Sequence, residues 1–183
     1  MTSILGTQSI QHPNGTAAAS IDSGGRITKP ANPAFASYSN QTNVSMNTLA
    51  GGTHYLNYFG VEYFDIGGHY NTSTSTFTVP VTGVYRFFVQ LQINGATTSD
   101  NSWGINLHFQ VNNAGNHANG YDSLSRSDGS SAAYKLFTKE ALLSLSATNT
   151  VRVAMAVNGN ANAGSIETTT NDGRCRFEGY LIG

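Results

Sequence analysis

After a turn at residues 80–83, apolar residues fall on every second position of the stretch FTVPVTGVYRFFVQLQIN, residues 77–94. Tyr85, Phe87, Val89, Leu91 and Ile93 alternate with Arg86, Phe88, Gln90, Gln92 and Asn94. Side chains of an extended strand point alternately to opposite faces, so this pattern predicts a half-buried β-strand with one apolar wall. A helix would spread the same residues round its circumference. Pro80-Val81-Thr82-Gly83 places Pro and Gly where a tight reversal wants them. Phe88 is the exception, a large aromatic on the polar side.

The alternation recurs. Ile105, Leu107, Phe109 and Val111 alternate with Asn106, His108, Gln110 and Asn112. Val151, Val153, Met155 and Val157 alternate with Arg152, Ala154, Ala156 and Asn158, and Cys175, Phe177 and Leu181 share one register at the end of the chain. Strands are expected near 33–40, 71–79, 84–94, 104–112, 117–125, 133–145, 150–157 and 174–182. A small hairpin is expected inside the aromatic-rich excursion 41–70, and only 139–143 admits a helical reading. Many strands, each with one apolar face, predict an all-β chain folded as a two-sheet sandwich.

Connection lengths add an orientation. In antiparallel strands every second connection lands at the same end. The short connections 80–83, 113–116 and 146–149 share the end where the last strand finishes. The longer ones, 95–103, 126–132 and 158–173, are rich in Gly, Ser, Thr, Asn and Asp and share the other. Polar loops gathered at one end of a rigid body are the usual site of binding surfaces. Candidate outer-loop binding residues are therefore Asp100, Asn101, Trp103, Asp128, Asn171 and Asp172. Trp103, the only Trp, has the flat ring that stacks on a sugar, with Asp100 and Asn101 beside it for hydroxyls; a lid on the core is the other reading.

Residues 1–30 differ from the rest, with scattered aliphatics (Ile4, Leu5, Ile10, Ile21, Ile27), no aromatics, and turn signals at Pro13-Asn14-Gly15 and Ser23-Gly24-Gly25. Such a segment cannot bury enough area to order itself, so a neighbouring copy or a larger particle is expected to hold it. The division is a leader, 1–30, and one domain, 31–183.

Composition narrows the function. Charged residues are 10% of 183 and the net charge is −1, which leaves no electrostatic footprint for nucleic acid or an anionic membrane. No apolar run approaches a membrane span, and the first cation, Arg26, comes too late for a secretory n-region. Cys175 is alone and sits on an apolar register, as a buried hydrophobe would. His12, His54, His69, His108 and His117 show no metal-ligand spacing, no loop gathers three carboxylates for Ca²⁺, and no nucleophile elbow occurs. Neither a metal, a cofactor nor an enzyme activity is expected.

The strands carry a resemblance. Pro33-Ala34-Phe35-Ala36, Phe64-Asp65, His69-Tyr70-Asn71 and the run from Phe77 to Phe87 resemble the signature of the C1q-like domain of the C1q/TNF superfamily. Leu143-Ser144-Leu145, Val151-Arg152-Val153 and Phe177-Glu178-Gly179-Tyr180-Leu181-Ile182 agree with it. The resemblance covers about residues 31–183 and implies a ten-stranded jelly roll that assembles as a tight trimer. No Gly-X-Y stalk precedes it here, and the central cysteines of animal members are missing. The leader, with Ser9-Ile10-Gln11-His12, Asn14-Gly15-Thr16 and Ile21-Asp22-Ser23-Gly24-Gly25-Arg26-Ile27, is similar to leaders on structural proteins of tailed bacteriophages.

In such a jelly roll the first, third and last core strands share a sheet. Phe88, and Tyr180 out of the Cys175/Phe177 register, are then expected to point outward from it and line a threefold interface, with Tyr38 joining them. The resulting expectation is a trimeric phage virion protein on the particle's exterior: a fibre, spike or capsid-surface module. Residues 1–30 would dock on capsid, portal or tail proteins, and the outer loops would face a host surface glycan or the environment. The alternative is a secreted, lectin-like C1q-type recognition protein of cellular origin, which an upstream signal peptide or a collagen stalk would favour.

Overall fold

The strand after the 80–83 turn is the longest, and the other elements register on it. A computed structural model describes residues 8–41, 44–45, 53–94, 104–117, 135–158, 165–167 and 174–183, and among these there are strands and turns but no helix. Chain order begins β1 (Ser9–Gln11), β2 (Ala17–Ile21), β3 (Ile27–Thr28), β4 (Ala34–Tyr38), β5 (Val44–Ser45), β6 (Thr53–Tyr55), β7 (Val61–Ile66) and β8 (Tyr70–Asn71). It continues β9 (Thr76–Thr78), β10 (Gly83–Asn94), β11 (Gly104–Val111), β12 (Ala114–His117), β13 (Lys135–Leu145), β14 (Thr150–Asn158), β15 (Ser165–Glu167) and β16 (Arg176–Leu181).

Two antiparallel sheets face each other. The first runs β13-β10-β16-β4-β7, with β15 continuing the β16 side of β10 and β5 pairing β15. The second runs β12-β11-β14-β9-β8, with β6 on the β9 side of β14. The all-β sandwich is as the alternation predicts. Its inner faces are the apolar registers: Tyr85, Phe87, Val89, Leu91 and Ile93 from β10 meet Ile105, Leu107 and Phe109 from β11 and Val151, Val153 and Met155 from β14.

Aromatic rings from both sheets interlock at the centre. Phe35 stacks on Phe77 at 4.8 Å and on Tyr70 at 4.6 Å, and meets Phe177 edge-on at 4.9 Å. The Tyr70 hydroxyl donates to the Phe59 carbonyl at 2.8 Å, and burial pushes its pKa up to about 12. Gly179 makes room for this cluster. A Cβ there would lie 2.6 Å from Phe87 Cδ1 and 2.9 Å from Phe35 Cε1, closer than side chains approach. Gly179→Ala should therefore overpack the centre and cost about 1–3 kcal/mol, read as a lower urea midpoint at unchanged m-value.

One end of the sandwich is closed by short turns. The Tyr85 hydroxyl donates to the Val81 carbonyl at 2.8 Å and ties the 80–83 turn to the core. Ala147 N–H donates to Thr82 Oγ1 at 3.0 Å, and Val84 N–H donates to the carbonyl of Gly183 at 2.7 Å. Thr150 N–H reaches Asn112 Oδ1 at 2.9 Å. All three turns and the C-terminus thus share an end, and Asn94, Gly104, Lys135 and Asn158 lie at the other.

Several elements differ from expectation. The strand expected at 71–79 is a hairpin of β8 and β9, because Asn71 Oδ1 accepts the N–H groups of Ser73 and Thr74 and turns the chain. The connection expected at 113–116 is shorter: Asn112 and Asn113 both have positive φ (53° and 57°), the two-residue turn that matches strand twist. Among its described residues the excursion holds no hairpin of its own; β5, β6 and β7 pair with β15, β14 and β4, partners distant in sequence. Residues 139–143 lie in β13 and are not helical, and β15 falls inside the expected loop 158–173. Residues 118–125 of the strand expected at 117–125 lie outside the described residues.

The amino-terminal segment forms a sheet of its own, β1-β2-β3, against the expectation that it cannot order itself. Its two turns fall at the predicted signals. Gly15 has φ +90° and Gly25 φ +77°, and Asp22 Oδ1 accepts the N–H groups of Gly24 and Arg26, each at 2.9 Å. The pairings Ile10↔Ala19 and Ile21↔Ile27 place Ile10, Ile21 and Ile27 on one face, all exposed.

Candidate functional site

The outer face of the first sheet follows from the β10 register. With Tyr85, Phe87 and Val89 turned inward, Val84, Arg86, Phe88, Gln90 and Gln92 face out. Partners of outward residues also face out, so β13 adds Leu142, Glu140, Thr138 and Leu136. By the same rule β16 adds Tyr180, Glu178 and Arg176, β4 adds Ala34, Ala36 and Tyr38, and β7 adds Ile66 and Phe64. A bulge in β7 leaves Tyr63 unpaired, and its ring lies 5.6 Å from that of Tyr38. The face is broad, aromatic and aliphatic, and much of it is open: Leu142 is 62% exposed, Leu136 55% and Tyr63 68%.

Its polar groups are ordered around the rings. Arg86 donates from Nε and Nη2 to the two carboxylate oxygens of Glu140, each at 2.7 Å. The pair holds the Glu140 carboxyl below its usual range and raises Arg86. The Arg86 guanidinium carbon lies 5.8 Å from the Tyr180 ring centroid, and that of Arg176 lies 4.9 Å from the Phe88 ring. Arg176 Nε is buried and has no hydrogen-bond partner among the described residues. Both cations sit on ring faces, where the aromatic quadrupole attracts them.

Phe88, Tyr180 and Tyr38, named from sequence, are thus brought onto one face of one sheet; Phe88 and Tyr38 are half-buried there and Tyr180 is exposed. The sequence reading misses Leu136, Leu142, Tyr63, Phe64 and Ile66. The signal for the two leucines is present in KLFTKEALLSL: apolar residues in both registers mark a strand meant to be covered on both sides. Asp100, Asn101, Trp103, Asp128, Asn171 and Asp172 lie outside the described residues.

The second sheet has a different outer face. Thr53 and Tyr55 of β6, Asn106, His108 and Gln110 of β11, and Arg152, Ala154 and Ala156 of β14 share it. Arg152 Nε–H donates to Gln110 Oε1 at 2.8 Å, and Gln110 Nε2 donates to Tyr55 Oη at 3.2 Å. His108 is buried here, which pushes its pKa down, and its Nε2 has no hydrogen-bond partner among the described residues. Among the described residues no group of three His, Cys, Asp or Glu side chains converges as a metal site would require.

The all-β, two-sheet sandwich agrees with the jelly roll that the sequence resembles, and the family model for the C1q domain matches residues 39–182. The chain belongs to the C1q-domain family. The match begins after β4, yet β4 is hydrogen-bonded along its length to β16 and β7 and is an integral strand of the C1q sandwich. Among solved structures, the globular domain of zebrafish complement 1qA protein is similar at 20% identity. The likeness covers 82% of this chain and 98% of that one, with a TM-score of 0.51, and shows the shared fold. No curated protein matches the sequence. C1q domains usually assemble into trimers, and they are generally recognition or structural modules without enzymatic activity.

Proposed function

We propose that this C1q-domain protein is a homotrimeric structural module on the exterior of a tailed-phage virion, a fibre, spike or capsid-surface component. The observation that carries the assembly is the outer face of β13-β10-β16-β4-β7, where Tyr63, Phe64, Leu136, Leu142 and Tyr180 stand in solvent around Phe88 and Tyr38. An apolar patch of this breadth is rare on a monomer and marks a contact surface. A chain only 10% charged has little to oppose close packing of its own copies. C1q domains usually assemble into trimers, and this reading brings three Phe88, Tyr38 and Tyr180 sets together around the axis.

Attachment is supported by the amino-terminal segment. Its likeness to phage leaders comes with a small sheet whose isoleucines lack cover, and a three-stranded sheet needs its apolar face packed. Capsid, portal or tail proteins are the partners this reading assigns to residues 1–30. The opposite end of the sandwich, where Asn94, Gly104, Lys135 and Asn158 lie, is then the end that meets a host glycan or the medium, with weak contacts multiplied by copy number.

Two measurements test the reading. Light scattering on the purified protein should give three times the chain mass of 19.4 kDa, and mass spectrometry should find the chain in purified virions. Absence from particles would replace the virion reading with a C1q-type recognition protein of cellular origin. A monomer at working concentrations would remove the assembly.

A further inference from the structure

On the outer face of the second sheet, Arg152 is the one charged residue among those contributed by β6, β11 and β14. Its guanidinium carbon lies 3.4 Å from the Tyr55 ring centroid, and its Nε–H is held at 2.8 Å by Gln110 Oε1. Gln110 is itself buried and fastened to the Tyr55 hydroxyl at 3.2 Å, so the guanidinium rests on a built support. Arg26 and Arg86 each hold a carboxylate. Arg152 holds none among the described residues, and no hydrogen bond there reaches its two Nη groups.

An arginine fixed on one edge and one face, with its outer fork open and its charge unneutralised, has the geometry that binds a carboxylate through two parallel N–H···O bonds. Its surroundings narrow the ligand. Thr53, the Tyr55 hydroxyl and Asn106 are neutral hydrogen-bonding groups on the same face. Beside them His108 Nε2 is buried with no hydrogen-bond partner among the described residues. A single cation among neutral donors and acceptors suits one negative charge on a polyol. An acidic peptide or a polyphosphate would need further cations.

We propose that Arg152, on its Tyr55–Gln110 support, binds the carboxylate of an acidic sugar. The site lies within one chain, so it stands independently of the trimer and of the virion. Isothermal titration calorimetry on the full chain tests it, with glucuronate, glucose and acetate as probes. Glucuronate should bind with one site per chain, and glucose, which lacks the carboxylate, about tenfold or more weaker. Acetate, lacking the hydroxyls, should also bind more weakly than glucuronate. Arg152→Gln should lose the glucuronate signal, and Arg152→Lys, which keeps the charge without the fork, should bind more weakly than the parent; circular dichroism confirms the fold of each. The proposal is overturned if glucuronate gives no binding, if glucose or acetate equals it, or if a folded Arg152→Gln protein binds glucuronate as the parent does.

Discussion

Phe177→Ala should cost the fold about 3–5 kcal/mol, the range for emptying a fully buried aromatic site. The ring is inaccessible to solvent and touches five others: Phe35, Phe59, Tyr70, Phe87 and Phe109, at centroid distances from 4.9 to 6.2 Å. Those rings come from both sheets and from the connection that carries Phe59, so removal leaves a hole none of them can collapse into alone. Against a typical domain stability of about 5–15 kcal/mol the loss is a large share. Urea unfolding at fixed protein concentration checks it, since the proposed assembly would make the midpoint concentration-dependent. Phe177→Leu keeps much of the volume and should lose visibly less. A midpoint for Phe177→Ala within error of the parent would mean that the two sheets are not joined through this ring.

Phe88→Asp should leave the individual fold standing and abolish the proposed trimer. Phe88 is half-buried and points away from the core, so the chain loses little internal packing. Its neighbours across the sheet are Glu140 on one side and Glu178 on the other. The substitution therefore sets three carboxylates in a row, with the Arg176 guanidinium left to partner the new one. In an isolated chain that row is solvated. Between copies the same charges must be desolvated while the ring contacts, about 2–3 kcal/mol for each buried aromatic, are gone. Light scattering should report monomers or ill-defined aggregates, with Phe88→Leu still assembling. An unchanged Phe88→Asp trimer would move the interface elsewhere.

Phe88 lies in β10 and Phe177 pairs with its Val89, and the sequence of β10 carries most of what was legible in advance. Strict alternation from Tyr85 to Ile93 specifies a strand, its inward face and the anomaly at Phe88, because each of these depends only on neighbours one and two residues away. The same holds for β11 and β14, and for the turn at 80–83. Reading was weakest where a segment's partners lie far along the chain. β7 alternates poorly because its bulge at Tyr63 breaks the period, and β13 is apolar on both sides because its outer side belongs to the aromatic face. The support under Arg152 had no local sign at all. Tyr55, Gln110 and Arg152 are contributed by three strands, and each looks ordinary in its own stretch.

The order of residues by itself determined that this chain is a C1q-type β-sandwich and which side chains of β10, β11 and β14 are buried. Periodicity is a property of consecutive positions and needs no knowledge of the partner strand. Only the tertiary structure decided which outward residues share a surface: that Leu136, Phe64 and Tyr180 stand on one sheet, and that Arg152 rests on Tyr55 across another. Strand order and register fix those neighbours, and they are set by long-range pairing and by the meeting of two apolar walls.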